Sequence, residues 1–249
     1  MNDFRVMTPS TKLVLLLVCA SLFFTQPLEA QLFSKERIQN NIDNIDKKFL
    51  TYGYFLGFNS YDFKFEYEEN LEDVLVDKTT GFHLGLVGDM RINDYINLRL
   101  EPGVFFTTRT LNYSENYFAG QEFNDADLTR EVKSTYIHVP LLVKFSTKRI
   151  NNFKPFIVGG ISTSLNLSSN EKNPEDNTSG TFRMTRNTYY YELGFGIDLY
   201  LLYFKFTPSI RAIFAINDEL VRDRDPNSPW TGNIAGMQTR GVFINFTFQ

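Results

Sequence analysis

The chain has only two histidines, His83 and His138, and both lie in stretches where polar and apolar residues alternate. Four carboxylates occupy the same kind of position: Asp89, Glu101, Glu192 and Asp198. Imidazole beside carboxylate is the raw material of an acid–base pair or of a metal site. The polar phase of these stretches also carries Arg99, Lys144, Lys205 and Arg211. Charges withdrawn from water must be paired, so four cations among four carboxylates read first as a self-neutralising interior network. Other chemistry is sparse. The loop Arg222-Asp223-Arg224-Asp225-Pro226-Asn227 has Asp and Asn at alternating positions, as a calcium loop does. It lacks the turn glycine and has Ile234 where the closing glutamate belongs, so a solvated loop is expected. The single cysteine, Cys19, follows Val18, which is too bulky for a lipidation box, and beyond it neither a thiolate site nor a disulfide can form. The chain has no P-loop, nucleophile elbow, zinc-protease or kinase signature. No enzyme activity, cofactor or small-molecule substrate is expected.

The elements that carry these residues have a period of two from Thr51 onward. Eight strands can be counted, at about 51–67, 80–90, 95–110, 133–146, 154–167, 187–199 and 203–216, with the last ending at Gln249. In the fourth, Ile137, Val139, Leu141, Val143 and Phe145 oppose Tyr136, His138, Lys144 and Ser146. In the sixth, Tyr189, Tyr191, Leu193, Phe195 and Ile197 alternate with Tyr190, Glu192, Gly194, Gly196 and Asp198. The first strand changes phase near Asn59-Ser60, where a bulge would restore a common face. The fifth is rich in glycine, and its facing is open.

The linkers near 91–94, 147–153 and 200–202 are short, whereas those near 68–79, 111–132, 168–186 and 217–238 are long and polar. A meander whose turns sort by length in this way is characteristic of an outer-membrane β-barrel. A lipocalin-like soluble barrel would put the apolar set inside. Three features favour the inverse. The polar sets are dense in glycine, as a narrow packed lumen requires. Tyr95, Tyr200, Tyr203 and Phe248 gather at the short-turn side, and Tyr136, Tyr189 and Tyr191 at the long-loop side, as two aromatic girdles would. The last strand also carries Phe at alternate positions, Phe246 and Phe248. About eight strands enclose just enough room for side chains, so the lumen should be plugged and pass no ion current.

At the N-terminus, Arg5 and Lys12 precede an apolar run from Leu13 to Phe24, and Leu28-Glu29-Ala30 ends on a small residue. That run is shorter than the ~20 residues of a spanning helix, so 1–30 reads as a secretory signal. Residues 31–50 have helical spacing at Ile38, Ile42, Ile45 and Phe49, a short amphipathic leader suited to contact with a protein partner. With a net charge of −4, nothing suggests a nucleic-acid surface. The expected fold is all-β: an eight-stranded antiparallel up-and-down transmembrane β-barrel over 51–249, behind a short periplasmic leader. Its partner would be the lipid of a Gram-negative outer membrane, with both termini periplasmic.

The stretch Tyr52-Gly-Tyr-Phe-Leu-Gly-Phe-Asn-Ser-Tyr-Asp-Phe-Lys, behind a leader rich in Ile, Asn and Lys, resembles the PorT family of Bacteroidota. These are small outer-membrane barrels associated with the type IX (Por) secretion apparatus. Tyr136-Ile-His-Val-Pro-Leu-Leu and Lys154-Pro-Phe-Ile-Val-Gly-Gly also look like strands of the wider barrel family, so the likeness spans about 31–249. The resemblance implies a noncatalytic component needed to export proteins with C-terminal sorting domains, often needed for gliding motility too, and in contact with other secretion-system proteins. It defines no ligand residues. A general surface barrel for adhesion or envelope support is the alternative that the fold leaves open.

Overall fold

The computed structural model describes residues 48–69, 71–119, 122–173, 176–177 and 182–249. Ten strands form one antiparallel sheet: β1 (Leu50–Tyr67), β2 (Leu75–Lys78), β3 (Thr80–Arg91), β4 (Ile96–Leu100), β5 (Gly103–Asn112), β6 (Thr129–Ser146), β7 (Phe153–Asn166), β8 (Asn187–Tyr200), β9 (Lys205–Ala215) and β10 (Ile234–Phe248). Pairing runs in chain order, and β10 closes on β1, with Tyr54 opposite Phe248. β2 and β3 are one stave interrupted at Thr79, and β4 and β5 are another, interrupted at Glu101-Pro102, where proline cannot donate to the ladder. The barrel therefore has eight staves and no free edge at the seam.

The expected bulge near Asn59 is absent. β1 pairs with β10 without a break from Tyr54 to Glu66, and with β3 from Leu50 to Ser60. Odd-numbered residues of β1 face inward from end to end, from Phe55 and Asn59 to Tyr61 and Phe63. The change of phase in the sequence records a change of surroundings. Tyr52, Tyr54, Leu56 and Phe58 point out as an apolar face, and Asp62, Lys64 and Glu66 point out above it. A bulge does occur across the hairpin. Between Lys78 and Phe82 the second stave advances four residues while β5 advances three, from Arg109 to Phe106.

The same crossover recurs around the ring. On β6, Ile137 to Phe145 present an apolar outer row, which gives way to Thr135, Lys133 and Glu131. On β10, Val242, Ile244 and Phe246 give way to Arg240 and Gln238. β7 resolves in the same sense, with Ile157 and Ile161 outward and Phe156, Val158 and Ser162 inward. The nine residues from Ile137 to Phe145 match the length of a tilted transmembrane strand. Tyr95, Tyr203, Tyr189 and Tyr191 are exposed at the two ends of this band, as girdle residues should be. Tyr136 and Tyr200 are not girdle residues. Both are 1 % exposed and point inward, Tyr200 beneath the Arg149 guanidinium at 4.0 Å.

Beyond the band, the long connections fold over the barrel end as a packed cap. Its core joins Phe63, Leu111, Val132 and Met237 of the staves to Phe118, Met184, Leu220 and Trp230 of the loops. Two one-turn 3-10 segments, Glu115–Phe118 and Asp125–Asp127, shape the loop between β5 and β6. The Trp230 indole N–H donates to the Asp127 carbonyl at 3.1 Å, and the Tyr113 hydroxyl donates to the Trp230 carbonyl at 3.1 Å. The 222–227 loop is tied into this cap rather than simply solvated. Asp223, with its carboxylate fully buried, accepts from Arg183 at 2.8 Å and from the Ser228 hydroxyl at 2.5 Å.

Candidate functional site

Alternation on five of the eight staves delivers the chemistry-bearing residues to one place. His83, Asp89, Arg99, Glu101, His138, Lys144, Glu192, Asp198, Lys205 and Arg211 all face the lumen, and none is more than 5 % exposed. Glycines make the room. A Cβ at Gly57 would lie 2.5 Å from His83 Nε2, and one at Gly194 would lie 2.6 Å from Arg211 Cγ. Large polar side chains can therefore cross the axis opposite them.

The network has two layers. Nearest the short turns, Lys144 Nζ meets Asp198 at 2.5 Å, and the Thr207 hydroxyl donates to the other oxygen of that carboxylate at 2.8 Å. Asp89 accepts from the Asn97 amide at 2.5 Å and lies 3.5 Å from Arg99 Nε. Deeper, Glu101 bridges two guanidinium groups, Arg99 at 2.9 Å and Arg211 at 2.7 Å. Arg211 in turn reaches Glu192 at 3.3 Å, and Glu192 accepts from His138 Nε2 at 2.7 Å. The four carboxylates thus face four cations, and the formal charge of the set is zero with neutral histidines. In a low-dielectric interior such a chain is strongly weakened when one partner of a pair is removed alone.

The histidines differ in their surroundings. His138 shares its two ring nitrogens between Ser164, at 2.6 Å, and Glu192, and is oriented by both. His83 lies flat against Phe105 with ring centres 4.4 Å apart, and its Nε2 meets Asn245 Oδ1 at 2.7 Å. No carboxylate among the described residues touches His83. The two imidazoles flank Phe105 and Phe243 rather than converging on a common point. Among the described residues no group of three His, Cys, Asp or Glu side chains is placed to hold a metal ion. The arrangement binds side chains to one another and blocks the axis. Ser164, His138 and Glu192 form one hydrogen-bonded chain, and all three are buried, at 1 %, 0 % and 3 % exposure.

Above the histidines is an arginine that the sequence pattern did not single out. Arg109 has no measurable exposure and donates to Tyr136 Oη at 2.7 Å and to Thr239 Oγ1 at 3.1 Å. Its guanidinium lies 3.8 Å above the Phe63 ring. It marks the boundary between the polar lumen and the apolar cap. Glu219, in the connection after β9, is also fully buried and accepts from the Thr239 amide at 2.9 Å. Burial holds its carboxyl above the usual carboxylate range, against the opposing pull of Arg109. Continuing the alternation of the third strand past Gly103 to Thr107, Arg109 and Leu111 is the signal for Arg109. A lone Trp in a long loop is the signal for the cap.

Of the leader residues expected to meet a partner, Ile38, Ile42 and Ile45 lie outside the described residues. Phe49 is 69 % exposed beside the short turns, where its carbonyl accepts from the Arg91 amide at 2.8 Å.

A closed antiparallel ring with an apolar outer band and a plugged lumen is the architecture of small outer-membrane barrels. The outer membrane protein beta-barrel domain model matches residues 30–221, most of the chain. The chain belongs to that outer-membrane β-barrel family. Its solved structural neighbours include OprG from Pseudomonas aeruginosa, at 14 % identity over 80 % of this chain and 93 % of that one, with a TM-score of 0.44. Neisserial surface protein A (NspA) aligns at 7 % identity over 80 % of this chain and 98 % of the other, with a TM-score of 0.43. Ail, the attachment invasion locus protein of Yersinia pestis, aligns at 8 % identity over 79 % and 96 %, with a TM-score of 0.37. No curated protein matches the chain in sequence.

Proposed function

We propose that this outer-membrane barrel is a noncatalytic component of type IX protein secretion, supporting export of proteins with C-terminal sorting domains through contacts with other secretion proteins. One observation carries the contact-based reading: the lumen is filled by a neutral ionic network, so the barrel works through its two ends. The type IX assignment is supported by the Tyr52–Lys64 resemblance. In this reading the short turns, both termini and the leader at 31–50 face the periplasm, where export machinery is met. A clean deletion is expected to retain sorting-domain cargo inside the cell with envelope integrity unchanged, measured by proteomics of the culture medium. Normal secretion in that strain refutes the assignment.

The packed cap favours one other reading, a general surface barrel for adhesion or envelope support. A crown of loops fixed by Trp230 and by the Arg183–Asp223 pair presents a constant surface. Exchanging the loop at 113–128 or at 216–233 would then change binding to cells or matrix and leave secretion intact.

A further inference from the structure

The short-turn mouth of the lumen is lined by five cations: Lys48, Arg91, Lys144, Lys154 and Lys205. Only two carboxylates, Asp89 and Asp198, share the lining. Asp198 meets Lys144 and Thr207, and Asp89 accepts from Asn97 and lies 3.5 Å from Arg99 Nε. At the rim, Arg91 pairs with Asp94, and Lys154 Nζ donates to the Asp94 carbonyl at 3.3 Å. Lys205 is left over. It is 5 % exposed, and among the described residues its ammonium makes no hydrogen bond or close ion pair, with Asp89 and Asp198 attracting it from a longer distance. Its main chain is fixed by a reciprocal pair with Gln249, at 2.7 and 3.0 Å, so the side chain cannot leave by moving the strand end. An ammonium held at the mouth only by longer-range attraction has room for a further anionic partner in direct contact.

We propose that this mouth is a binding site for a phosphate group, with Lys205 as its anchor. The enclosed space is about 20 Å³, room for one oxygen-sized group. One oxygen would enter to meet Lys205 while the remaining oxygens stay at the opening among Lys48 and Lys154. Lys48, Lys154 and Lys205, which among the described residues lack an ion pair in this mouth, give it a surplus of positive charge that favours an anionic phosphate group. The site takes free phosphate or a phosphorylated headgroup reaching the mouth; the chemistry is the same.

The test is titration of inorganic phosphate into the full chain folded in neutral detergent micelles, followed by calorimetry. Saturable binding is expected, weakened at least tenfold in Lys205→Met and unchanged in Lys133→Met, whose side chain lies at the opposite end outside the barrel. Heat-modifiable migration on gels verifies that each variant is folded. If Lys205→Met does not fold, Lys154→Gln, at the edge of the site, is expected to weaken binding severalfold. Displacement of phosphate by added phosphatidylglycerol assigns the group to a lipid headgroup, and lack of displacement assigns it to the free ion. Absence of saturable binding, or equal affinity in folded Lys205→Met, overturns the proposal.

Discussion

The two halves of this barrel use one backbone alternation to opposite ends. Toward the short turns, side chains such as Leu141 and Phe195 point out and Lys144, Glu192 and Asp198 point in. Toward the long loops, Glu131, Lys133 and Arg240 point out and Val132, Leu111 and Met237 point in. β1, β6 and β10 cross the boundary without a change of face, so there the inversion lies in the surroundings alone, whereas the second stave switches face at the Thr79 bulge. Where lipid covers the wall, polar groups are driven inward and must neutralise one another. Where water covers it, the ordinary hydrophobic effect fills the centre with Phe, Trp and Met. The boundary is one residue wide on β1, between Phe58 and Ser60 on the outer face.

Removing one cation from the polar half should have the largest effect. Arg211→Met leaves Glu101 and Glu192 each short of a partner at 2.7 and 3.3 Å. The expected loss is about 3–5 kcal/mol, the usual penalty for breaking a buried pair from one side. Urea unfolding of the refolded barrel in lipid vesicles reads it directly. The paired change Lys144→Met with Asp198→Leu removes both charges together and should be near neutral. A double variant as unstable as Arg211→Met would show that the lumen charges do more than balance one another.

The outer faces give the next largest contrast. Leu141→Arg introduces a charge in the middle of the apolar row on β6 and should cost about 2–4 kcal/mol in vesicles. Thr135→Arg, three outward positions along the same strand, should cost about 0–1 kcal/mol because it lies at the water side of the crossover. Equal costs at the two sites would remove the boundary from between Ile137 and Thr135.

Most of the fold is legible in the chain because period-two alternation survives burial on either face, so the lumen residues from His83 to Arg211 follow from their spacing alone. The crossover is not legible in the same way. A reversal of hydrophobic phase on a strand has two physical causes, a slipped register or a changed solvent, and the residues around Asn59 do not distinguish them. On β1 the cause is the change of solvent, the bulge near Thr79 being a separate feature of the second stave, and Tyr136, expected in the girdle, faces the lumen. The cap is least visible. Its core is assembled from single apolar residues far apart in the chain, such as Phe118, Met184, Leu220 and Trp230, none of which has a periodic neighbour. The Arg183–Asp223 strut likewise joins two polar loops that look solvated when read separately.

Glu219 sharpens the comparison from the apolar half, with the smallest expected effect. It is a carboxylate placed where the cap supplies no cation in contact among the described residues, unlike Glu192, which has both His138 and Arg211. Because burial raises its folded pKa above the unfolded value, folding favours the protonated form. Its contribution is fully present below the unfolded carboxylate range, near about pH 4, and is lost as pH rises from there through the folded pKa. Glu219→Gln keeps an oxygen to accept from the Thr239 amide and removes the titration. The variant should match the wild type in acid and exceed it increasingly toward neutral pH, measured by urea unfolding across that range. If Glu219→Gln were instead less stable at neutral pH, the carboxylate would be ionised and held by Arg109. The polar network would then extend through the boundary into the cap, and the division between the two halves would lie higher than the outer face indicates.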